Sequence, residues 1–146
     1  MTVWRNTTLE KTMKYKMYAI FAKESVQKMN GIRGKMCTQA GHAYLHAYWD
    51  AVKPTFRLFT YFRKIKQAFA YKYRLGAAHA YKITLIVDTV DELKALQEKY
   101  KDVCGTSLVT DAGFTVFKEP TTTCLGLGPI SEDNIGDDIK ALKTFC

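Results

Sequence analysis

Lys35, Gln39, His42 and His46 recur at spacings of four, three and four residues. On a helix turning about 100° per residue they fall within a sector of roughly 60°. An ammonium, an amide and two imidazoles would then share one face. Met36, Ala40, Ala43, Tyr44 and Ala47 fall on the other, where small side chains suit close packing on a sheet. A lysine in the first turn of a helix also opposes the helix dipole unless an anion sits there. The same four residues could equally form a solvated face, with His42 a hydrogen-bonded, half-buried histidine. His42 and His46 have the i, i+4 spacing of a metal pair. No HExxH glutamate or third ligand accompanies them, so no metal is expected.

Two further stretches could carry chemistry. Asp111-Ala112-Gly113 follows a hydrophobic run. A carboxylate at a strand end before a tight turn is placed to orient a water or another side chain, although an aspartate there can also simply cap the turn. Thr121-Thr122-Thr123 precedes Cys124-Leu125-Gly126-Leu127-Gly128-Pro129. Its hydroxyls could donate to a substrate oxygen, and its glycines allow close backbone approach. An ordinary β-strand would read the same way. The run is neither a GxGxxG fingerprint nor a Walker loop, and no cofactor is expected.

The elements that must position these residues follow from the hydrophobic pattern. Residues 15–23 read as a strand, followed by a loop with Asn30, Gly31 and Gly34, then a helix over about 34–50. A second helix is predicted over about 55–73, after Pro54. Residues 81–87 alternate as a strand, and Thr89 with Glu92 forms a capping box that opens the next helix. Short strands over 106–110 and 121–128 come next, and a last helix over about 132–143 with Ser131 as its cap. Strands alternating with helices predict a three-layer α/β/α sandwich around a small mixed four-stranded sheet. Residues 1–14 are polar and unpatterned, a flexible N-terminal arm before one domain over 15–146.

Charge is distributed unevenly. Residues 1–81 hold 15 Lys/Arg against Glu10, Glu24 and Asp50, a net of +12, whereas residues 82–146 hold 7 Lys against 11 acids, a net of −4. A polyanion held on one side is implied, with nucleic acid the usual partner and an anionic membrane surface a poorer one. Residues 51–81 contain no acid at all. There Lys53, Arg57, Arg63, Lys64, Lys66, Lys72 and Arg74 interleave with Phe56, Phe59, Tyr61, Phe62, Phe69, Tyr71 and Tyr73, the composition of a surface that grips phosphates and stacks bases. No apolar run approaches the roughly 18–20 residues of a membrane span. The start of the chain lacks a secretory h-region. Cys37, Cys104, Cys124 and Cys146 form no CxxC pair and read as free thiols of a cytoplasmic protein.

Taken together, three blocks resemble the type-2 peptidyl-tRNA hydrolases of archaea and eukaryotes. They are Gly34-Lys35-Met36-Cys37-Thr38-Gln39-Ala40-Gly41-His42-Ala43, then Ser107-Leu108-Val109-Thr110-Asp111-Ala112-Gly113-Phe114-Thr115, and Thr123-Cys124-Leu125-Gly126-Leu127-Gly128-Pro129. Order and spacing agree from about residue 16 to the C-terminus. The sequence departs from the family's pattern at Phe114, where a basic residue is usual, and at Ile32-Arg33, where Arg33 takes the place of a lysine. The segment over 51–81 is also unusually basic and aromatic.

The resemblance implies hydrolysis of the ester between a peptide and the tRNA 3′ ribose. Asp111 would orient or deprotonate water, and Lys35 would stabilise the oxyanion or a terminal phosphate. Thr123 and Thr115 would hydrogen-bond the ester region. Gln39 and His42 would position the others, with His42 a candidate base. Arg33, Arg57, Arg63, Lys64, Lys66, Lys72 and Arg74 would hold the tRNA. The resemblance alone suggests a homodimer. The alternative is a catalytically weak or inactive RNA-binding module on the same fold, for which Phe114 is the sign.

Overall fold

The strand Tyr15–Ala22 (β1) is apolar on both faces and therefore becomes the axis of the sheet. Tyr18, Ile20 and Ala22 enter one core, while Met17, Ala19 and Phe21 enter the packing on the opposite side. Burying a side chain as large as Phe21 or Ile20 contributes about 1.5–3 kcal/mol each. The computed structural model describes residues 14–54, 60–76 and 80–146. The proposed arm over 1–14 thus lies, apart from Lys14, outside the described residues.

After β1 come helices Lys23–Lys28 (α1), Arg33–Val52 (α2) and Thr60–Leu75 (α3). They are followed by strand Tyr81–Val87 (β2), helix Val90–Tyr100 (α4), and strands Thr106–Asp111 (β3) and Thr121–Ser131 (β4). A 3-10 turn over Glu132–Asn134, the one-turn helix Asp137–Lys140 (α5) and strand Lys143–Thr144 (β5) complete the chain. The sheet order is β3-β4-β1-β2-β5. β1 and β2 are parallel, and the other pairs are antiparallel. α2 covers one face, and α4 with α5 covers the other, so the three-layer α/β/α architecture with a mixed sheet is as the sequence predicts.

The sheet has five strands rather than four. The expected helix over 132–143 is interrupted because Ile135 and Gly136 are extended. The Gly136 N–H is taken by the Tyr100 hydroxyl (2.9 Å), so the backbone there is bound to α4 instead of continuing a helix. The residues after α5 are then free to pair with the edge of β2. α1 also forms where a loop is expected, and its buried Ser25 donates to the Thr122 carbonyl (2.6 Å). The capping box of α4 is present with both of its bonds. All four cysteines are free, and burial pushes the Cys104 and Cys124 thiols up to about 12. Among the described residues no helix is long and apolar enough to cross a membrane.

α2 sits unusually close to β4. Ala43, Ala47 and Ala51 form its inner stripe, and a Cβ at Gly126 would lie 1.9 Å from the Ala43 carbonyl oxygen. Only glycine fits there, and that contact sets the height of the whole helix above the sheet. One turn earlier, the same closeness puts Gln39 directly over Thr123.

Candidate active site

Ordinary strand alternation would send Thr123 and Cys124 to opposite faces of the sheet. The β3–β4 register shifts between them: Val109 pairs with Cys124, but Thr110 pairs with Thr122. Thr123 is the extra residue of a β-bulge, a device that re-aims side chains. As a result both residues reach α2. The Cys124 thiol donates to the Gln39 carbonyl (3.4 Å), and the Thr123 hydroxyl donates to Gln39 Oε1 (2.7 Å).

That second bond orients the Gln39 amide. With Oε1 turned inward, Nε2 donates to Asp111 Oδ2 (3.2 Å). Asp111 ends β3, and its other oxygen accepts the Gly113 N–H (2.9 Å). Gly113 closes this turn at φ +85°, a left-handed conformation suited to glycine. One turn before Gln39, the Lys35 ammonium pairs with Asp111 Oδ2 and also donates to Thr115 Oγ1 (3.2 Å). The ammonium lies 5.8 Å from the centre of the Phe117 ring. A continuous chain therefore runs Thr123, Gln39, Asp111, Lys35, Thr115, built from one helix, two strands and the loop between those strands.

The Asp111 carboxyl is held below the ordinary carboxylate value. The bond from Lys35 contributes most, and with Gly113 and Gln39 it outweighs burial. Asp111 is therefore an anion at neutral pH. A carboxylate has about four acceptor sites; among the described residues Lys35, Gln39 and Gly113 donate to three, so Asp111 can also accept from a water. Asp111 also lines a cleft of about 430 Å³, shared with Gln39, His42, His46, Leu108, Val109, Thr110 and Ala112.

Comparisons with known proteins identify the family. The family model for peptidyl-tRNA hydrolase PTH2 matches residues 15–145. A protein of Nanoarchaeum equitans named peptidyl-tRNA hydrolase is 31% identical over 120 residues, covering 82% of this chain and 93% of the relative. One of the same name from Methanococcus vannielii is 31% identical over 115 residues, covering 76% and 85%. The chain belongs to the peptidyl-tRNA hydrolase PTH2 family.

Of the residues expected to carry chemistry in this family member, Lys35, Gln39, Asp111, Thr115 and Thr123 form one hydrogen-bonded chain, and His42 stands exposed on the wall of the same cleft. Thr123 is fully buried, so its hydroxyl reaches the cleft only through Gln39 instead of meeting an ester directly. Phe114 is 92% exposed.

The basic residues separate into two groups. Arg33, Lys64, Lys72 and Arg74 are exposed, with Lys72 over the Tyr15 ring (5.6 Å). Arg63 and Lys66 face inward. Lys66 donates to Asp50 Oδ2 (3.0 Å), and Arg63 donates to the Asp50 carbonyl (2.7 Å). Asp50 also accepts the Thr106 N–H (3.1 Å), joining α2, α3 and β3. Burial raises its carboxyl, but the bonds from Thr106, Lys66 and Arg63 outweigh this and hold it below the ordinary range. Arg57 lies outside the described residues. Sequence reasoning missed the Gly113 N–H, for which the Asp-x-Gly turn is the available signal.

Proposed function

We propose that this chain hydrolyses the ester joining a peptide to the 3′-terminal ribose of tRNA, releasing peptide and reusable tRNA. Family membership and the names of its relatives support the activity. The observation that carries the reading is a single ionised carboxylate, Asp111, gripped by both Lys35 and Gln39 at the wall of an open cleft.

The reaction adds a water oxygen to the ester carbonyl carbon and forms a tetrahedral oxyanion. The bond to the ribose oxygen then breaks, and that oxygen takes up a proton. Asp111 holds the attacking water by accepting a hydrogen bond from it. Its depressed pKa makes it a weak base, so it orients the water more than it deprotonates it. An imidazole is the usual proton acceptor near neutral pH, and His42 supplies one on the cleft wall. Lys35 has three ammonium hydrogens. Asp111 and Thr115 engage two, leaving one for the developing oxyanion, where a preorganised charged donor is worth most. Gln39 and Thr123 hold the carboxylate in place.

The exposed Arg33, Lys64, Lys72 and Arg74 would contact phosphates of the tRNA, which implies a cytoplasmic setting. The homodimer is a matter for light scattering. Phe114 takes no part in the hydrogen-bonded chain, whose members are all present, so no observation favours the inactive alternative. Incubating the protein with labelled peptidyl-tRNA tests the proposal. Release of free peptide and intact tRNA is expected, and binding without release would overturn it.

A further inference from the structure

Trp49 is the feature of α2 that the hydrolytic site does not use. It is 52% exposed, an uncommon position for an indole. It is held in place by His46, whose ring lies nearly parallel to it (18°) with centroids 5.4 Å apart. His46 in turn lies 5.5 Å from His42. Residues 42, 46 and 49 follow one face of the helix, so the three rings form a ladder of roughly 10 Å, at about 1.5 Å of rise per residue.

The two ends of this ladder differ. At one end His42 and His46 line the cleft that contains Asp111. At the other end, Trp49 precedes Asp50, to which Arg63 and Lys66 of the basic helix α3 are anchored. The aromatic face thus runs from the cleft toward the end of α2 on which the basic helix α3 is anchored.

We infer that the His42–His46–Trp49 face is a stacking platform for the unpaired nucleotides at the 3′ end of an RNA. This rests on the hydrolase reading. With the ester at Asp111, the terminal base hangs from the same ribose, and the preceding unpaired nucleotides must leave the cleft along some surface. A strand leaving along α2 meets the three rings, and α3, anchored at Asp50, carries the exposed Lys64, Lys72 and Arg74; single-stranded nucleic acid is bound by just such a combination of rings and cations. Base–ring stacking is tolerant of sequence because every base has a π face. A pre-oriented indole also loses little conformational freedom when a base covers it. A peptide of arbitrary sequence has no comparable reason to follow rings toward a basic helix.

The test uses the full chain carrying Trp4→Phe, so that Trp49 is its one indole, and an oligoribonucleotide matching the unpaired 3′ end of tRNA. Saturable quenching of Trp49 fluorescence is expected, and it should persist at a salt concentration that removes phosphate contacts. In cleavage assays Trp49→Ala should raise KM for peptidyl-tRNA about tenfold, the usual scale for removing one stacked base, with kcat within about twofold. Trp49→Phe, which keeps a ring, should recover most of the loss.

No quenching, together with an unchanged KM in a Trp49→Ala variant that still cleaves, would overturn the platform and leave the hydrolase intact. Quenching by the oligonucleotide in the Trp4→Phe protein, when the wild type cleaves no peptidyl-tRNA, would support the platform and overturn the hydrolase.

Discussion

Thr123→Val removes one hydroxyl from a site with no solvent access, and its consequences can be worked out bond by bond. The hydroxyl donates to Gln39 Oε1 at 2.7 Å, and Gln39 itself is only 3% exposed. Without that donor, a buried acceptor is left unmet at a cost of about 1–3 kcal/mol. For a chain of this size each kcal/mol lowers Tm by about 2–4 °C, so a fall of roughly 2–12 °C is expected. The amide could escape the cost by rotating, but its oxygen would then face the Asp111 carboxylate and the bond from Nε2 would be lost.

Either outcome loosens Asp111. Misplacement of a reacting group by an ångström costs up to about a hundredfold, so kcat should drop by about 10–100-fold while KM barely moves. Thr123→Ser, which keeps the donor, should stay near wild type. The decisive assay is a double-mutant cycle. If Thr123 acts only through Gln39, adding Thr123→Val to Gln39→Leu should leave kcat where Gln39→Leu alone puts it. A further fall in the double variant, or wild-type kcat in Thr123→Val, would refute the positioning argument.

Other perturbations give equally definite outcomes. Lys35→Met removes the main cause of the low Asp111 pKa, so the carboxyl should titrate at higher pH when followed by NMR. A depressed carboxylate stabilises the fold above its unfolded pKa, and that contribution is lost as pH falls through the folded value. In the variant the folded value moves toward the unfolded one, so the acid-dependent loss should be smaller and complete at a higher pH. Asp50→Ala leaves Lys66 buried and unpaired and takes the acceptor from the Thr106 N–H. A loss of about 3 kcal/mol in chemical denaturation is expected, since breaking one side of a buried pair is costly. Affinity for tRNA should fall about a hundredfold between 50 and 200 mM salt if the four exposed cations each release a counterion, and a flat profile would exclude phosphate-dominated binding.

Much of the arrangement was legible in the sequence because periodicity carries it. The i, i+4 spacing of Lys35 and Gln39 and the position of Asp111 at a strand end fix the cluster these three residues form. The parts that were not legible each have a physical cause. Thr123 could not be aimed from alternation, because a bulge breaks the alternation at that residue. Arg63 and Lys66 look free when residues 51–81 are counted by themselves, since the aspartate that binds them lies one residue outside that window. The interruption at Gly136 depends on a hydroxyl 36 residues away in α4, a contact no local window contains. α1 is six residues long, too short for its periodicity to register.

The central claim is that Lys35 and Asp111, joined across α2 and β3, stabilise the oxyanion and orient the attacking water. Single-turnover cleavage of peptidyl-tRNA by Lys35→Met and Asp111→Asn, each verified as folded, measures this most directly. Each should lose about a hundredfold or more in rate, the scale of a lost charge-stabilising group. The double variant should be little worse than either alone, because the two act as a unit. Wild-type rates in either single variant would contradict the account.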